Sequence, residues 1–252
     1  VIYYQKLGAK IYLLAADLEA QLTRNIEEKE ARKIALEEYL LNYIALGLNK
    51  KNFEFYFQIE GPKKFKEYTN ISKLASAKTT FNEVKAIYGD ISPQKLISAL
   101  TQTADILYPQ LDGISTTLTP IGFDQLPHAN FTRDLASRMQ FSMPAFTFHK
   151  LIPGLQGVTT KMSSSKEESY ISFDDSPQEV SKKIKKYSFS GGQATIEEHR
   201  KKGGNPNIDV SYKYLEFLFE QDDKKLKKIY DDYKSGRLLT SELKEILIEK
   251  IN

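Results

Sequence analysis

Two short apolar runs, "KIYLLA" (10–15) and "FEFYFQI" (53–59), constrain this chain more than anything else in it. Both read as buried strands, the second by its aromatic content and period-2 alternation. Between them lies "EEKEARKIALEEYLLNYIAL" (27–46), where Ala31, Ile34, Ala35, Leu41 and Ile44 recur near a 3.6-residue period, with Glu and Lys opposite and Gly47 as the stop. Strands separated by a whole helix cannot form a hairpin. The order strand, helix, strand predicts a right-handed crossover and a parallel sheet.

The same alternation continues. "GISTTLTPIG" (113–122) and "AFTFHKLI" (145–152) read as further buried strands, with the helix "LPHANFTRDLASRM" between them. Three helix starts carry capping-box spacing: Thr80 with Glu83, Ser176 with Glu179, and Thr195 with Glu198. Pro177 occupies the first helical position of the second. From Ser176 onward every segment reads as helix, the last of them capped by Thr240. We therefore expect an α/β domain over residues 1–174 and an all-helical domain over 175–252. The opening "VIYYQKLGAK" reads as the tail of a helix closing at Gly8, so the α/β domain is expected to be incomplete at its start.

Composition narrows the chemistry. A chain of 252 residues can bury more than one core. It has no cysteine, which excludes disulfides, thiolate zinc sites and cysteine nucleophiles, and three histidines make a poor basis for a histidine-rich metal centre. No run is long enough to span a bilayer and no signal peptide opens the chain, so the expected location is cytoplasmic. The net charge is +3, but "KKIKK" (182–186), "RKK" (200–202) and "KKLKK" (224–228) all fall in the last third. These runs suit either a phosphate backbone or solvated helix faces, since Glu197, Glu198, Asp222 and Asp223 sit beside them.

An open parallel sheet binds ligands beyond the C-terminal ends of its strands. Three segments meet that condition: "LLAADLEA", "PIGFDQLPH" and "GLQGVTTKMSSSK". In the second, Gly122 allows close backbone approach, while Asp124 and Gln125 offer an acceptor and an amide to a ribose or an ammonium; equally, Asp124 could cap the following helix. Glu19 is either a surface carboxylate or a ligand for an amino group. Gln102, inside the apolar "LISALTQTADILY", is either a satisfied core amide or a pocket residue. Lys161 with Ser163, Ser164 and Ser165 gives a charged donor beside small hydroxyls, which suits a clamp on a triphosphate.

"KMSSS" resembles the KMSKS loop of class I aminoacyl-tRNA synthetases, and "PIGFDQLPHANFTRD" is similar to the GxDQ-x-P-H-x-x-x-T-R-D segment of the tryptophanyl enzymes. "TTFNEVKAIYG" and "FSGGQATIEEHRKKGGNPNIDV" resemble segments of the archaeal and eukaryotic tryptophanyl-tRNA synthetases, and "GAKIYLLAADLEA" with "EEYLLNYIALGL" is most similar to the archaeal branch. The resemblance runs in consistent order along the whole chain.

That resemblance implies a Rossmann-like parallel-sheet catalytic domain followed by an all-helical anticodon-recognition domain. It implies an enzyme, a ligase of protein biosynthesis. ATP, accompanied by Mg2+, would activate L-tryptophan, and the product would charge tRNA(Trp); the assembly would be a homodimer, with neither membrane nor DNA as partner. Lys161, Ser163, Ser164 and Ser165 would form the catalytic loop over the pyrophosphate, with Lys161, Met162 and Asp124 on the nucleotide. Glu19, Gln102, Gly122, Asp124 and Gln125 would meet the substrate, and no protein-bound metal is expected. Some positions depart from the pattern. Ser164 stands where many class I enzymes have a second lysine, Leu126 where the family is polar, and Leu14 where the eukaryotic branch carries a glutamine. The H-x-G-H signature belongs near the start of the opening helix, and none of His128, His149 and His199 lies in such a string; His128 reads as helix-start packing. The alternatives are a tyrosyl-tRNA synthetase, which shares the fold and the serine loop, or a non-catalytic tRNA-binding fragment.

Overall fold

A computed structural model describes residues 1–163 and 166–252, so Ser164 and Ser165 lie outside the described residues. The chain divides into two compact units, Val1–Lys150 and Leu151–Asn252.

In the first unit, α1 (Ile2–Lys6) ends in a turn where Gly8 adopts φ +98°, a conformation that disfavours any Cβ. β1 (Ile11–Ala15) leads into α2 (Asp17–Arg24), and α3 (Glu28–Ile34) continues through a π-helical turn (Ala35–Leu40) into α4 (Leu41–Ala45). The apolar period of 27–46 thus predicts the rod but not its widened middle. β2 (Phe53–Phe57) pairs in parallel with β1, Ile11 opposite Phe53 and Ala15 opposite Phe57, as the crossover requires. Then come α5 (Phe65–Ser76), α6 (Phe81–Tyr88), α7 (Pro93–Leu107), β3 (Leu118–Gly122), α8 (Leu126–Arg138) and β4 (Ala145–His149). β3 and β4 are also parallel, Leu118 opposite Ala145 and Gly122 opposite His149.

The four strands form two separate pairs rather than one sheet. The ladder stops at β1 and at β3, and a cavity of about 390 Å³ lies along both, lined by Ile11, Tyr12, Leu14, Leu118 and Thr119, with Asp105 of α7 also facing it. The main core beneath is aromatic: Tyr108 is fully buried and takes the edges of Tyr12, Tyr56 and Tyr68 at centroid distances of 6.0, 5.3 and 6.0 Å. Edge-to-face contacts of this kind add to area burial. Ile71, Ala104 and Leu107 complete it.

The second unit is helical: α9 (Pro177–Tyr187), α10 (Ile196–Lys202), α11 (Val210–Tyr214) with a π-helical extension (Leu215–Phe219), α12 (Asp223–Lys234) and α13 (Thr240–Ile251). Its core unites Leu155, Val180, Ile184, Val210, Leu215, Leu243 and Leu247. Leu155 is fully buried there. Of the stretch expected to end the α/β domain, Leu155 lies in this core and Val158 and Ile171 pack against it.

The capping boxes at Thr80 and Ser176 are complete, each with the reciprocal bond from its glutamate. At Thr195 only half of the box forms: Thr195 accepts from the Glu198 N–H at 3.1 Å, while the Glu198 carboxylate turns to Lys202 at 3.0 Å. Thr240 is not a cap either. It is the first helical residue of α13, its hydroxyl bonds Ser190 and Tyr233, and Glu242 receives the Leu239 N–H instead. No described helix is long and apolar enough to cross a membrane.

Candidate functional site

The C-terminal ends of β1 and β2 are tied together by one buried carboxylate. Asp17, the first residue of α2, accepts from the N–H groups of Leu18 and of Ile59 just past β2, both at 3.1 Å, and its other oxygen takes Arg32 Nε at 3.3 Å. This knot fixes two neighbouring side chains. The Glu19 N–H donates to Gln58 Oε1 at 3.2 Å, and Gln58 Nε2 donates to Asp105 at 2.7 Å. Tyr68 of α5 donates to the other Asp105 oxygen at 2.6 Å.

α7 supplies the opposite wall. Ser92 caps it and Pro93 starts it, so the helix is fixed at the end near the site. Ser98, Gln102 and Asp105 recur at i, i+4 and i+7, one stripe of the helix. Ser98 donates to the Glu19 carboxylate and accepts from the Tyr88 hydroxyl at 3.4 Å. The ring of His128, in the first turn of α8, meets Tyr88 edge-on at 5.2 Å.

The electrostatics are uneven. Enclosure by protein pushes Asp105 up to about 7, against the hydrogen bonds from Tyr68 and Gln58, and Glu19 adds a raising contribution. Asp105 is partly buried and faces the cavity. Burial likewise holds the Tyr68 phenol protonated. Burial lowers His128 as well, outweighing the carboxylates of Glu19 and Asp124, so its imidazole is neutral. A carboxyl poised near neutrality beside a glutamate can hold donors such as an ammonium or a ring N–H, an arrangement suited to orienting a ligand.

Of the residues proposed from sequence, Glu19 sits inside this cluster and Gln102 on its helical stripe. Gly122 ends β3 with φ −70° and ψ 154°, extended backbone open to any residue, so no backbone demand accounts for glycine there. Asp124 is exposed and Gln125 partly buried, and neither makes a side-chain capping bond to α8, which removes the capping reading of Asp124. Sequence reasoning missed Asp17, Gln58, Tyr68, Ser98 and Asp105. A signal existed in α7, where Ser98 and Asp105 flank Gln102 at helical spacing within an apolar stretch.

The segment that carries Lys161 and Ser163 belongs to the second unit. Pro153 and Lys161 form an antiparallel bridge, the Gly154 N–H donates to the Thr160 carbonyl at 2.8 Å, and Thr160 Oγ1 donates to the Gly157 carbonyl at 2.7 Å. A Cβ on Gly154 would meet Thr160 Oγ1 at 2.9 Å and the Lys161 carbonyl oxygen at 3.0 Å, so a side chain there would push the two sides of the stem apart. Ser163 is pinned through both backbone groups to Ser169 Oγ, at 2.9 and 3.1 Å. Lys161 and Met162 are exposed. The result is a hydrogen-bonded stem with Lys161 and Met162 turned to solvent.

Parallel strand pairs bearing a polar cluster at their C-terminal ends define an α/β ligand-binding protein. Comparison with known proteins identifies its kind: the family model described as "tRNA synthetases class I (W and Y)" matches residues 1–252, and the chain belongs to this family. It is 43% identical to the tryptophan-tRNA ligase of Aeropyrum pernix over 258 residues, covering 100% of this chain and 68% of that protein. The crystal structure of the tryptophanyl-tRNA synthetase from the same archaeon superposes with a TM-score of 0.93 at 42% identity, covering 99% of this chain and 68% of that one. The structure of the Encephalitozoon cuniculi tryptophanyl-tRNA synthetase bound to tryptophan matches with a TM-score of 0.84 at 25% identity, with 99% and 68% covered. The fold is thus that of a class I aminoacyl-tRNA synthetase.

Proposed function

We propose that the protein is a tryptophan-tRNA ligase that joins L-tryptophan to ATP, giving tryptophanyl-adenylate and pyrophosphate, and then passes the tryptophanyl group to tRNA(Trp). The observation that carries this reading is the bonded set Glu19, Gln58 and Asp105, of which Asp105 faces a cavity with apolar walls. It suits a zwitterion whose large side chain carries a single N–H. Glu19 takes the ammonium and Asp105 the indole N–H, with Leu14 as hydrocarbon wall where the eukaryotic branch has a glutamine. Gln102 and Gln125 orient the amino acid, and Gly122 and Asp124 border the ribose.

In the activation step a tryptophan carboxylate oxygen bonds to the α-phosphorus, and the bond from that phosphorus to the bridging oxygen breaks as pyrophosphate leaves. The protein positions and neutralises charge. Lys161 and Ser163, with Ser164 and Ser165, steady the pyrophosphate, Met162 lies against the nucleotide, and Mg2+ arrives on the phosphates. A terminal ribose hydroxyl of the tRNA then attacks the acyl carbon and AMP departs. Residues 1–174 serve as the catalytic domain and residues 175–252 as the anticodon-recognition domain, the basic runs meeting RNA phosphates in a cytoplasmic homodimer.

The test is amino-acid-dependent ATP–pyrophosphate exchange with tryptophan and tyrosine in parallel, beside a tRNA-binding titration. Exchange with tryptophan alone is expected. Exchange with tyrosine alone would reassign the substrate, and tRNA binding with no exchange would leave only an RNA-binding protein.

A further inference from the structure

We propose that His128 is an additional substrate-contacting residue, whose Nδ1 accepts a hydrogen bond from the ammonium of the bound amino acid. The inference rests on the functional reading above and deepens it. Its starting point is an imbalance: among the described residues His128 Nδ1 is buried and has no hydrogen-bond partner, although Glu19, Ser98, Gln58 and Asp105 beside it are joined by hydrogen bonds. A buried polar atom left unpaired is costly, and proteins tolerate it chiefly where a water or a ligand completes it.

The surroundings specify which ligand group fits. The imidazole is held edge-on by Tyr88, Tyr88 donates to Ser98, and Ser98 donates to Glu19, so the orphaned nitrogen and the Glu19 carboxylate are ordered by one continuous chain of contacts. Asp124 acts on the same ring from the turn before α8. Two carboxylates repel an anion and attract a cation. With the ring proton on Nε2, a neutral imidazole presents a lone pair at Nδ1. Glu19 and His128 Nδ1 would then share the hydrogens of a primary ammonium, charge from one and an acceptor from the other. The imidazole is held in place by its packing on Tyr88, and packing is all that the sequence indicated for it.

Three substitutions separate this from a structural role. His128→Phe keeps the edge contact with Tyr88 and removes both nitrogens; His128→Asn sets an amide near the Nδ1 position; His128→Gln reaches only toward Nε2. Kinetics of tryptophan-dependent exchange are measured for each, together with inhibition by 3-indolepropionate, which is tryptophan without its ammonium. We expect the KM for tryptophan to rise about tenfold in His128→Phe and in His128→Gln, the loss of one hydrogen bond to a charged group, and to return to within about threefold of the original in His128→Asn. The inhibition constant of 3-indolepropionate should stay unchanged in all three. A parallel rise for 3-indolepropionate would assign His128 to packing, and an unchanged KM in His128→Phe would show that a water completes Nδ1; either overturns the proposal while tryptophan exchange by the unsubstituted protein keeps the ligase reading. Absence of that exchange removes both.

Discussion

Each unit contains an aspartate, a tyrosine and a histidine gathered into one polar cluster, and the two clusters are finished to different degrees. In the helical unit Asp209 is fully buried and saturated: it accepts from the N–H groups of Gly191, Ser211 and Tyr212 at 2.9, 2.9 and 3.2 Å and from the Tyr233 hydroxyl at 2.8 Å. His199 beside it is 3% exposed, with Nε2 on the Leu238 carbonyl at 2.9 Å. In the α/β unit, Asp105 holds two donors, faces a cavity and is pushed up to about 7, while His128 keeps a buried nitrogen unpaired. A completed network specifies a fold, whereas an incomplete one in an otherwise well-packed protein marks where a ligand supplies the missing groups.

The largest effect should come from breaking the completed network. Asp209→Ala strands three backbone N–H groups in the core and leaves the Tyr233 hydroxyl to Thr240 and Ser190, and should cost about 3 kcal/mol or more in urea unfolding. A loss below about 1 kcal/mol would mean that the hub relaxes freely, and the contrast would collapse.

Asp105→Asn should do the reverse: little harm to stability and a large effect on substrate. Its folded pKa of about 7 lies above the ordinary carboxylate value, so the folded state holds this proton more tightly. The stability it contributes is full below about pH 4 and is lost as pH rises through about 7. The variant should therefore gain on the unsubstituted protein between pH 4 and pH 8 in thermal unfolding. For the same reason the affinity for tryptophan should improve as pH rises through about 7, because the carboxylate accepts the indole N–H better than the acid does. In Asp105→Asn that pH dependence should vanish and kcat/KM should fall about a hundredfold. A pH-independent KM in the unsubstituted protein would remove Asp105 from the binding surface.

Lys161→Ala sharpens the comparison from a third position, since this side chain is exposed and belongs to neither cluster. Stability should change by no more than about 0.5 kcal/mol. Exchange should fall about a hundredfold, with tRNA affinity nearly unchanged. A matching loss in thermal stability would make the loop structural.

The sequence spoke most clearly where interactions are local. Strand-helix-strand order at 10–59 and the boxes at Thr80 and Ser176 depend on residues within one helix turn or one crossover, and the structure contains them. Thr195 shows the limit, because Glu198 has a second local partner in Lys202. The partition of the strands into two pairs depends on which edges meet across the molecule, and no periodicity encodes that. Among site residues, Glu19 was legible from its place after a strand. Asp105 was not, because Tyr68 and Gln58 reach it from 37 and 47 positions away. Ser164 and Ser165, prominent in sequence, lie outside the described residues.

The smallest effect is expected where a network is complete but sits at the surface. Glu83 closes the α6 capping box and pairs with Arg138 at 2.6 Å, and Arg138 first, with the Thr80 N–H and hydroxyl, holds its carboxyl at about 2. Glu83→Gln preserves the box, since glutamine also fills that position, and removes only the charge. Because the folded pKa is depressed, the contribution is present above about pH 4.5 and disappears as pH falls through about 2. An exposed ion pair of this kind is worth about 0.5 kcal/mol. The variant should thus unfold slightly earlier than the unsubstituted protein at pH 7 and together with it near pH 2. A gap that persisted at pH 2 would locate the stabilisation in the hydrogen bonds of the box rather than in the charge, and would show that completing a network matters at the surface much as it does around Asp209.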